Sequence, residues 1–381
     1  MIPSSGVNWP TTIVELRRIS MSRFIGLIFS LLALSAPVIA DDGLVPVRLQ
    51  LQWVTQAQFA GYFVAQAMGF YANEGLDVTI LESEGDIQPA DAVAAGDAEF
   101  GVTWTPTVLQ ANEGGADLVN IAQIFQRSGT VLVSFAEAGI AEANDIVLKR
   151  IGYWPNGSEF EVYALTFHIG SDPVSGEHLQ LVEQPFHLGP LINGELDATQ
   201  ALIYNWYGRL LGEVNPATGE LYRQDELNII DFNELGLAML QDHVIVSADW
   251  LAQDGNQEIA AALVRASLRG WIHCRDMADD CVRIIREINP ELGESHQQWQ
   301  MNEVNKLIWP SPAGIGMMDE TLWDQTVEWL LRLGALTEAP PVGNYRSDLA
   351  LAALETLAAE GLDVTGADWQ PAEVSVRAGG A

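Results

Sequence analysis

The stretch Val47-Arg48-Leu49-Gln50-Leu51-Gln52-Trp53 decides the fold. It alternates apolar and polar residues, which is the pattern of a half-buried strand. Apolar residues then recur at helical spacing over residues 56–70, and alternation resumes over residues 76–80. This order predicts a strand–helix–strand unit of an open α/β sheet. Ligands bind outside the carboxyl ends of the strands in such sheets, so Trp53, Gln56 and Gln58 are the first candidate site residues. The alternative for Trp53 is a packing role at the edge of the core.

The length and net charge of the chain limit the classes of protein to which it can belong. With 381 residues it is long enough for two domains, each with its own core. It carries 51 acidic and 18 basic residues, a net charge of -33. This balance argues against binding to nucleic acid or to anionic membranes, and it indicates a solvated acidic surface.

The N-terminal residues have the layout of a secretory signal peptide. Arg17, Arg18 and Arg23 precede an apolar run over residues 24–34, and small residues end at Ala40. The run is too short to span a membrane comfortably. We therefore expect cleavage after Ala40, no lipid anchor because no cysteine follows, and a soluble, exported protein. Translation from Met21 instead of Met1 is an alternative start.

Cys274 and Cys281 are the two cysteines of the sequence. A disulfide between them requires the helical pattern to break near residues 276–279, because seven residues of continuous helix span about 10.5 Å. An exported protein permits such a bond. We predict the disulfide rather than a zinc or redox site, since neither a CxxC motif nor paired histidines accompany the cysteines.

An α/β pattern continues along the chain. The segment 131–135 reads as a strand that leaves the first sheet, and 243–247 as a strand that carries the chain back, so two crossings would form a hinge. The predicted domains are residues 41–135 with 245–340 as one lobe, 136–244 as the other, and 341–381 as a tail. Further strands are predicted at 100–104, 118–125, 150–154, 179–183 and 228–231, and helices at 89–95, 106–113, 158–169, 257–274, 280–288, 297–308, 320–333 and 349–359.

A sequence pattern that occurs twice suggests two lobes that are built alike. Residues 94–99 and 192–197 each read as a helix end, a glycine and acidic residues before a strand. The strands end at Thr103-Trp104 and at Ile203-Tyr204-Asn205-Trp206. Both ends would face one shared cleft.

The candidate chemistry is binding rather than catalysis. P-loop, GxGxxG, HExxH and GxSxG motifs are missing from the sequence, and the histidines lack metal-ligand spacing. We therefore predict neither a metal nor a cofactor. A flat heterocycle would stack on Trp53 or Trp104. The turn at Gly157 and Ser158 is either a cradle for a polar or anionic group or an ordinary turn. Candidates for hydrogen bonds to the edge of the ring are Gln126, Asn156, Glu159 and Asn205.

The sequence resembles a known family in several stretches. These are residues 51–65, 69–78, 95–102, 121–129, 152–160 and 204–205. They are similar to the substrate-binding proteins of bacterial importers in the NMT1/THI5-like, thiamine-pyrimidine-related family. The resemblance implies a type II periplasmic-binding-protein fold with a ligand cleft between two α/β lobes. It also implies a periplasmic monomer that delivers a small molecule to an ABC permease and its ATPase. Phe59 and Tyr204, which lie in these stretches, join the candidate site.

The resemblance leaves the ligand open. Members of the family are linked to pyrimidine precursors of thiamine, and relatives to riboflavin, nitrate or alkanesulfonates. The family also includes a fungal pyrimidine synthase, whose lysine and histidine would fall near Thr103 and Thr107, so we expect a binding protein rather than that enzyme. A sensor is a further alternative. Where the family often has Tyr-Asn-Glu, this chain has Trp206 in the third position, which weakens the case for an aminopyrimidine and favours a larger ring such as a flavin.

Overall fold

The structure, a computed structural model, describes residues 43–173 and 178–379. The predicted signal peptide, residues 1–40, lies outside the described residues. Within them, two five-stranded sheets are present. The strands are β1 (Val45–Gln50), β2 (Leu76–Leu81), β3 (Phe100–Thr103), β4 (Leu118–Gln123), β5 (Thr130–Phe135), β6 (Arg150–Tyr153), β7 (Gln180–Glu183), β8 (Ala198–Leu202), β9 (Leu227–Asp231) and β10 (His243–Ser247).

The two sheets have the same plan. The first has the order β2-β1-β3-β10-β4, and the second has the order β7-β6-β8-β5-β9. In the first, β1 is parallel to β2 and β3, whereas β10 runs antiparallel to β3 and β4. In the second, β6 is parallel to β7 and β8, whereas β5 runs antiparallel to β8 and β9. We call the parts built on these sheets the first and second lobe, which confirms the predicted two-lobed α/β fold.

Helices cover both sheets. The helix predicted over residues 56–70 is broken, because Gly69 has a φ of 72° and starts a separate turn of helix. The helices are α1 (Ala60–Ala67), α2 (Phe70–Asn73), α3 (Pro89–Ala95), α4 (Thr105–Glu113), α5 (Phe160–His168), α6 (Gly189–Ile192), α7 (Trp206–Leu211), α8 (Ala248–Leu251), α9 (Asn256–Asp276), α10 (Ala278–Ile288), α11 (Glu294–Ile308), α12 (Glu320–Arg332) and α13 (Asp348–Ala359).

Three parts of the predicted domain division differ from the sheet and core assignments. Strand β5 pairs wholly within the second sheet, so the first crossing precedes residue 130 instead of following residue 135. Helix α12 packs its buried Trp323, Trp329 and Leu330 into the core of the second lobe. In the predicted tail, α13 packs on the core of the first lobe, and Val374 and Val376 pack against the second.

The cysteines lie at a corner between two helices. Helix α9 ends at Asp276, and α10 begins at Ala278. This break brings the α carbons of Cys274 and Cys281 to 5.5 Å, and a disulfide joins the two buried residues. None of the helices in residues 43–173 and 178–379 has the length and apolar character needed to cross a membrane.

Candidate functional site

A cavity of about 160 Å³ lies between the lobes, at the carboxyl ends of the parallel strands. Its walls combine aromatic rings with amide side chains. Within the described part of the chain, no side chain that lines it is charged. The lining residues are Gln52, Trp53, Gln56, Gln58, Gly85, Gln88, Trp104, Thr107, Trp154, Pro155, Asn156, Ser158, Phe186, Leu202, Asn205 and Trp206.

The aromatic rings come from both lobes. Trp53 follows β1 of the first lobe, and its ring centroid lies 5.1 Å from that of Phe186 in the second lobe. Trp154 follows β6 directly and stacks on Phe186 at 5.9 Å, with 20° between the planes. Trp206, the first residue of α7, lies 5.6 Å from Trp154. The rings therefore form a continuous apolar wall across the cleft, suited to a flat ligand.

Asp242 organises the amide side of the cavity. It is buried immediately before β10, at the second crossing between the lobes. Its Oδ1 accepts hydrogen bonds from Gln52 Nε2 and Trp104 Nε1, both at 2.7 Å. Its Oδ2 accepts one from Gln58 Nε2 at 2.8 Å. Burial raises the pKa of Asp242 to about 6, while the three N–H donors act in the opposite direction.

A chain of amides continues from Asp242 into the second lobe. Gln58 Oε1 accepts from Gln56 Nε2 at 2.8 Å. Gln56 Oε1 in turn accepts from Asn205 Nδ2 at 3.1 Å and from Gln300 Nε2 at 3.0 Å. Each amide is thereby held in one orientation, because a carboxylate can only accept hydrogen bonds.

The turn after β6 meets the first lobe. Gly157 N–H donates to Glu159 Oε2 at 2.8 Å, so the carboxylate of the chain itself takes the amide predicted to cradle an anion. Burial raises the pKa of Glu159. Helix α5 begins only at Phe160, and Ser158 does not cap it. Asn156 and Ser158 line the cavity, whereas Gly157 and Glu159 do not.

The predicted site residues fall into two groups, those that line the cavity and those that do not. Trp53, Gln58, Trp104, Asn156 and Asn205 all line the cavity.

Three other candidates have packing or hinge positions. Phe59 is fully buried in the core of the first lobe. Tyr204 is also fully buried, edge-on to Phe125 at a centroid distance of 5.9 Å. Gln126 donates to the carbonyls of Gln123 and Met317 near the first crossing. Phe59 and Tyr204 pack in the core, and Gln126 hydrogen-bonds to backbone carbonyls, so none of the three side chains lines this cavity.

Sequence reasoning missed several lining residues and Asp242. Trp154 stands at a strand end like Trp53, so the same rule applied to the second lobe would have found it. Phe186 follows β7 in the same way. Asp242 gave one signal, an acidic residue set between the apolar segments 237–240 and 244–246. Within the residues described, no group of three or more His, Cys, Asp or Glu could hold a metal ion.

Curated relatives include both binding proteins and enzymes. The riboflavin-binding protein RibY of Chloroflexus aurantiacus is 25% identical over 78% of this chain and 84% of its own. The formylaminopyrimidine-binding protein of Halalkalibacterium halodurans is 22% identical over 76% of this chain and 86% of its own. A 4-amino-5-hydroxymethyl-2-methylpyrimidine phosphate synthase of Legionella pneumophila is 30% identical, but over only 34% of this chain and 41% of its own.

The fold also matches solved structures. The alkanesulfonate-binding protein SsuA from Xanthomonas axonopodis pv. citri, bound to MOPS, superposes with a TM-score of 0.59 over 80% of this chain and 98% of its own. At 11% identity this likeness concerns the fold alone. The model of the family described as NMT1/THI5 like matches residues 56–279, more than half of the sequence. The chain therefore belongs to the NMT1/THI5-like family.

Proposed function

We propose that the protein is the solute-binding component of an ABC importer, which captures a small heteroaromatic compound between its lobes in the periplasm. The observation that carries this proposal is the cavity itself, with aromatic rings from both lobes and oriented amides along one side. Such a site holds a flat polar ring by stacking and by hydrogen bonds to its edge. The protein would act as a monomer that hands its ligand to a permease coupled to an ATPase.

The size of the cavity favours a single ring, such as a pyrimidine precursor of thiamine. Its volume of about 160 Å³ is close to that of engineered cavities of about 150 Å³ that bind benzene. A three-ring flavin would require the lobes to stand further apart. Nitrate and sulfonates fit less well, because the lining side chains carry no positive charge in the described part of the chain.

A pyrimidine synthase is the second candidate function, since enzymes of that name are among the relatives. The resemblance places the lysine and histidine of that enzyme near Thr103 and Thr107. Thr107 lines the cavity and Thr103 is buried on β3. Neither side chain can form the Schiff base or supply the imidazole that this chemistry needs, which favours binding over synthesis.

Mass spectrometry and thermal shift test the proposal. The exported protein is analysed by native mass spectrometry for a bound molecule and then by a thermal-shift panel of thiamine pyrimidines, thiamine, riboflavin, nitrate and sulfonates. A pyrimidine or flavin should raise the melting temperature by mass action. The absence of any shift at ligand concentrations well above micromolar would contradict the proposal.

A pair of variants links the ligand to the cavity. Trp53→Ala should weaken binding by roughly 1–3 kcal/mol through lost stacking and apolar contact. Trp250→Ala is the control, because Trp250 packs on Phe100 in the same lobe and does not line the cavity. Equal affinity of the two variants would exclude stacking on Trp53.

A further inference from the structure

The carboxylate of Asp242 lies behind the cavity, and its side chain is not part of the lining. We propose that Asp242 is a positioning residue that sets the ligand class: a neutral or cationic nitrogen ring with N–H donors on one edge, and not an anion. This inference rests on the proposed function, because it concerns the ligand of the same cavity.

The first step is the orientation of Gln52. Its Nε2 donates to Asp242 Oδ1 at 2.7 Å, and the same oxygen accepts the indole N–H of Trp104. An ionised carboxylate offers only acceptors, so the amide cannot turn without placing its carbonyl oxygen against a carboxylate oxygen. The carbonyl oxygen of Gln52 is therefore the acceptor that this lining side chain has left for a ligand.

The second step is that the same order of donors and acceptors continues across the cleft into the second lobe. Gln58 donates to Asp242 and accepts from Gln56, which in turn accepts from Asn205 Nδ2. Among the described residues, the side chains of Gln52 and Asn205 make hydrogen bonds only as donors. Each lobe thus presents one carbonyl oxygen on a cavity-lining side chain. An amino or imide N–H of a ligand satisfies such an oxygen, whereas a methylated nitrogen leaves it desolvated and unpaired.

The third step concerns charge. In the described chain no lysine, arginine or histidine lines the cavity, and the guanidinium of Arg209 lies on the ring of Trp206, 4.6 Å from its centroid. The N–H of Gly157 already donates to the carboxylate of Glu159 and is therefore not free to bind an anion. An anion would therefore enter without a countercharge and near the buried carboxylate of Asp242, where low dielectric strengthens the repulsion.

Calorimetric titration of two matched ligand series tests the inference. One series is 4-amino-5-hydroxymethyl-2-methylpyrimidine, its 4-dimethylamino analogue and its phosphate ester. The other is riboflavin, 3-methylriboflavin and riboflavin 5′-phosphate. For whichever parent binds, we expect about tenfold or greater preference over both the methylated and the phosphorylated compound, the effect of one unpaired buried polar group or one uncompensated charge.

Variants assign the preference to Asp242. In Asp242→Asn the residue can donate as well as accept, so the amides can turn and the negative charge is gone; the preference should shrink to within about threefold. Asp254→Asn removes the same charge at an exposed position and should leave the preference intact. Gln52→Leu removes one acceptor, while Asp242 keeps its charge and its donors Gln58 and Trp104. It should reduce the discrimination against the methylated compound, which keeps the test open if Asp242→Asn does not fold.

The outcomes separate this inference from the proposed function. A parent that binds no better than its methylated and phosphorylated analogues would overturn the inference and leave the receptor function standing. A preference that survives unchanged in folded Asp242→Asn, or in Gln52→Leu, would also overturn it. Failure of both parents to bind would instead overturn the proposed ligand class, and the inference with it.

Discussion

At Gly157 the backbone of the second lobe touches α4 of the first. Gly157 has a φ of +97°, and a Cβ there would lie 2.7 Å from Thr107 Oγ1. Gly157→Ala should lower the free energy of unfolding by roughly 1–2 kcal/mol through left-handed strain. It should also weaken ligand binding, because Thr107 lines the cavity and must move away.

A matched glycine separates these two effects. Gly170 has a φ of +78°, but a Cβ added there would meet no atom within 4 Å. Gly170→Ala should therefore show the strain, measured by chemical denaturation, without a change in affinity measured by calorimetry. Equal affinities of the two variants would contradict a role for the Gly157–Thr107 contact in binding.

Glu161 is a second buried carboxyl, at the start of α5. It accepts from Met239 N–H at 2.9 Å and from Gln241 Nε2 at 3.1 Å. Burial raises its pKa from 4.5 to about 7, with a further contribution from Asp231. Because the folded protein holds this proton more tightly than the unfolded chain, stability is lost as the pH rises from about 4.5 to about 7.

The variant Glu161→Gln tests this dependence. At pH 5 both side chains are largely neutral, and at pH 8 only the glutamate carries the cost of a buried charge. The free energy of unfolding of the variant relative to the wild type should therefore rise from pH 5 to about pH 7, by on the order of 1.4 kcal/mol for each pH unit, and stay level from there to pH 8. Glu137→Gln, at an exposed position, is the control. A difference between variant and wild type that does not change with pH would contradict the assignment.

Single residues show why the site was only partly predictable. Trp53 and Trp104 stand at strand ends, so topology alone indicated their place in the cleft. Tyr204 stands at a strand end as well, yet it packs into the core against Phe125. Whether such a ring faces the ligand or the core depends on contacts from distant segments. The position of Asp242 depends on three donors from two other segments, which local sequence does not reveal.

At the scale of elements, periodicity predicted most strands and helices. Strand β10 and helix α3 begin and end at the predicted residues, because the β-branched residues 244–246 mark the strand and Gly96 marks the end of the helix. The first predicted helix, over residues 56–70, is interrupted at Gly69, whose positive φ starts a separate turn of helix. Strand boundaries shifted by a few residues: the first strand, predicted over residues 47–53, spans Val45–Gln50.

The disulfide is the covalent link between two elements, α9 and α10. It closes a loop with a sequence separation of 7. Loop-closure entropy predicts that removing it lowers the free energy of unfolding by about 2–3 kcal/mol. The double variant Cys274→Ala/Cys281→Ala, compared with the wild type by denaturation with and without a reductant, measures this effect. The reductant should destabilise the wild type and leave the double variant unchanged; equal stability of oxidised and reduced wild type would contradict the prediction.

For the whole molecule, the two lobes could be predicted because the chain crosses twice between two sheets and a similar sequence pattern precedes a strand in each. The lobe on which α12 and the C-terminal segment pack could not be predicted. Helix α12 follows three helices that pack on the first lobe, but its tryptophans enter the core of the second. The C-terminal segment contacts both lobes, through α13 and through Val374 and Val376. An amphipathic pattern tells which face of a helix is buried, not which core receives it.

The net charge of -33 leads to a prediction for the folded chain as a whole. With 51 acidic and 18 basic residues, most carboxylates have no basic partner to pair with, so self-repulsion opposes the compact state. Salt shortens the Debye length from about 10 Å at 0.1 M to about 3 Å at 1 M. The melting temperature should therefore rise by a few degrees between 0.05 and 1 M NaCl, the shift that about 1 kcal/mol produces in a chain of this size.

Replacing several exposed, unpaired acids by their amides should raise the melting temperature at low salt and flatten its salt dependence, because the repulsion that salt screens has been removed. Sucrose at matched osmolality separates screening from solute exclusion, since it carries no charge. A melting temperature that is constant or falls with NaCl would mean that local ion pairs such as Arg48–Glu99, at 2.7 Å, outweigh the net repulsion. Such pairs are partly exposed and individually weak, so we expect the net charge to dominate.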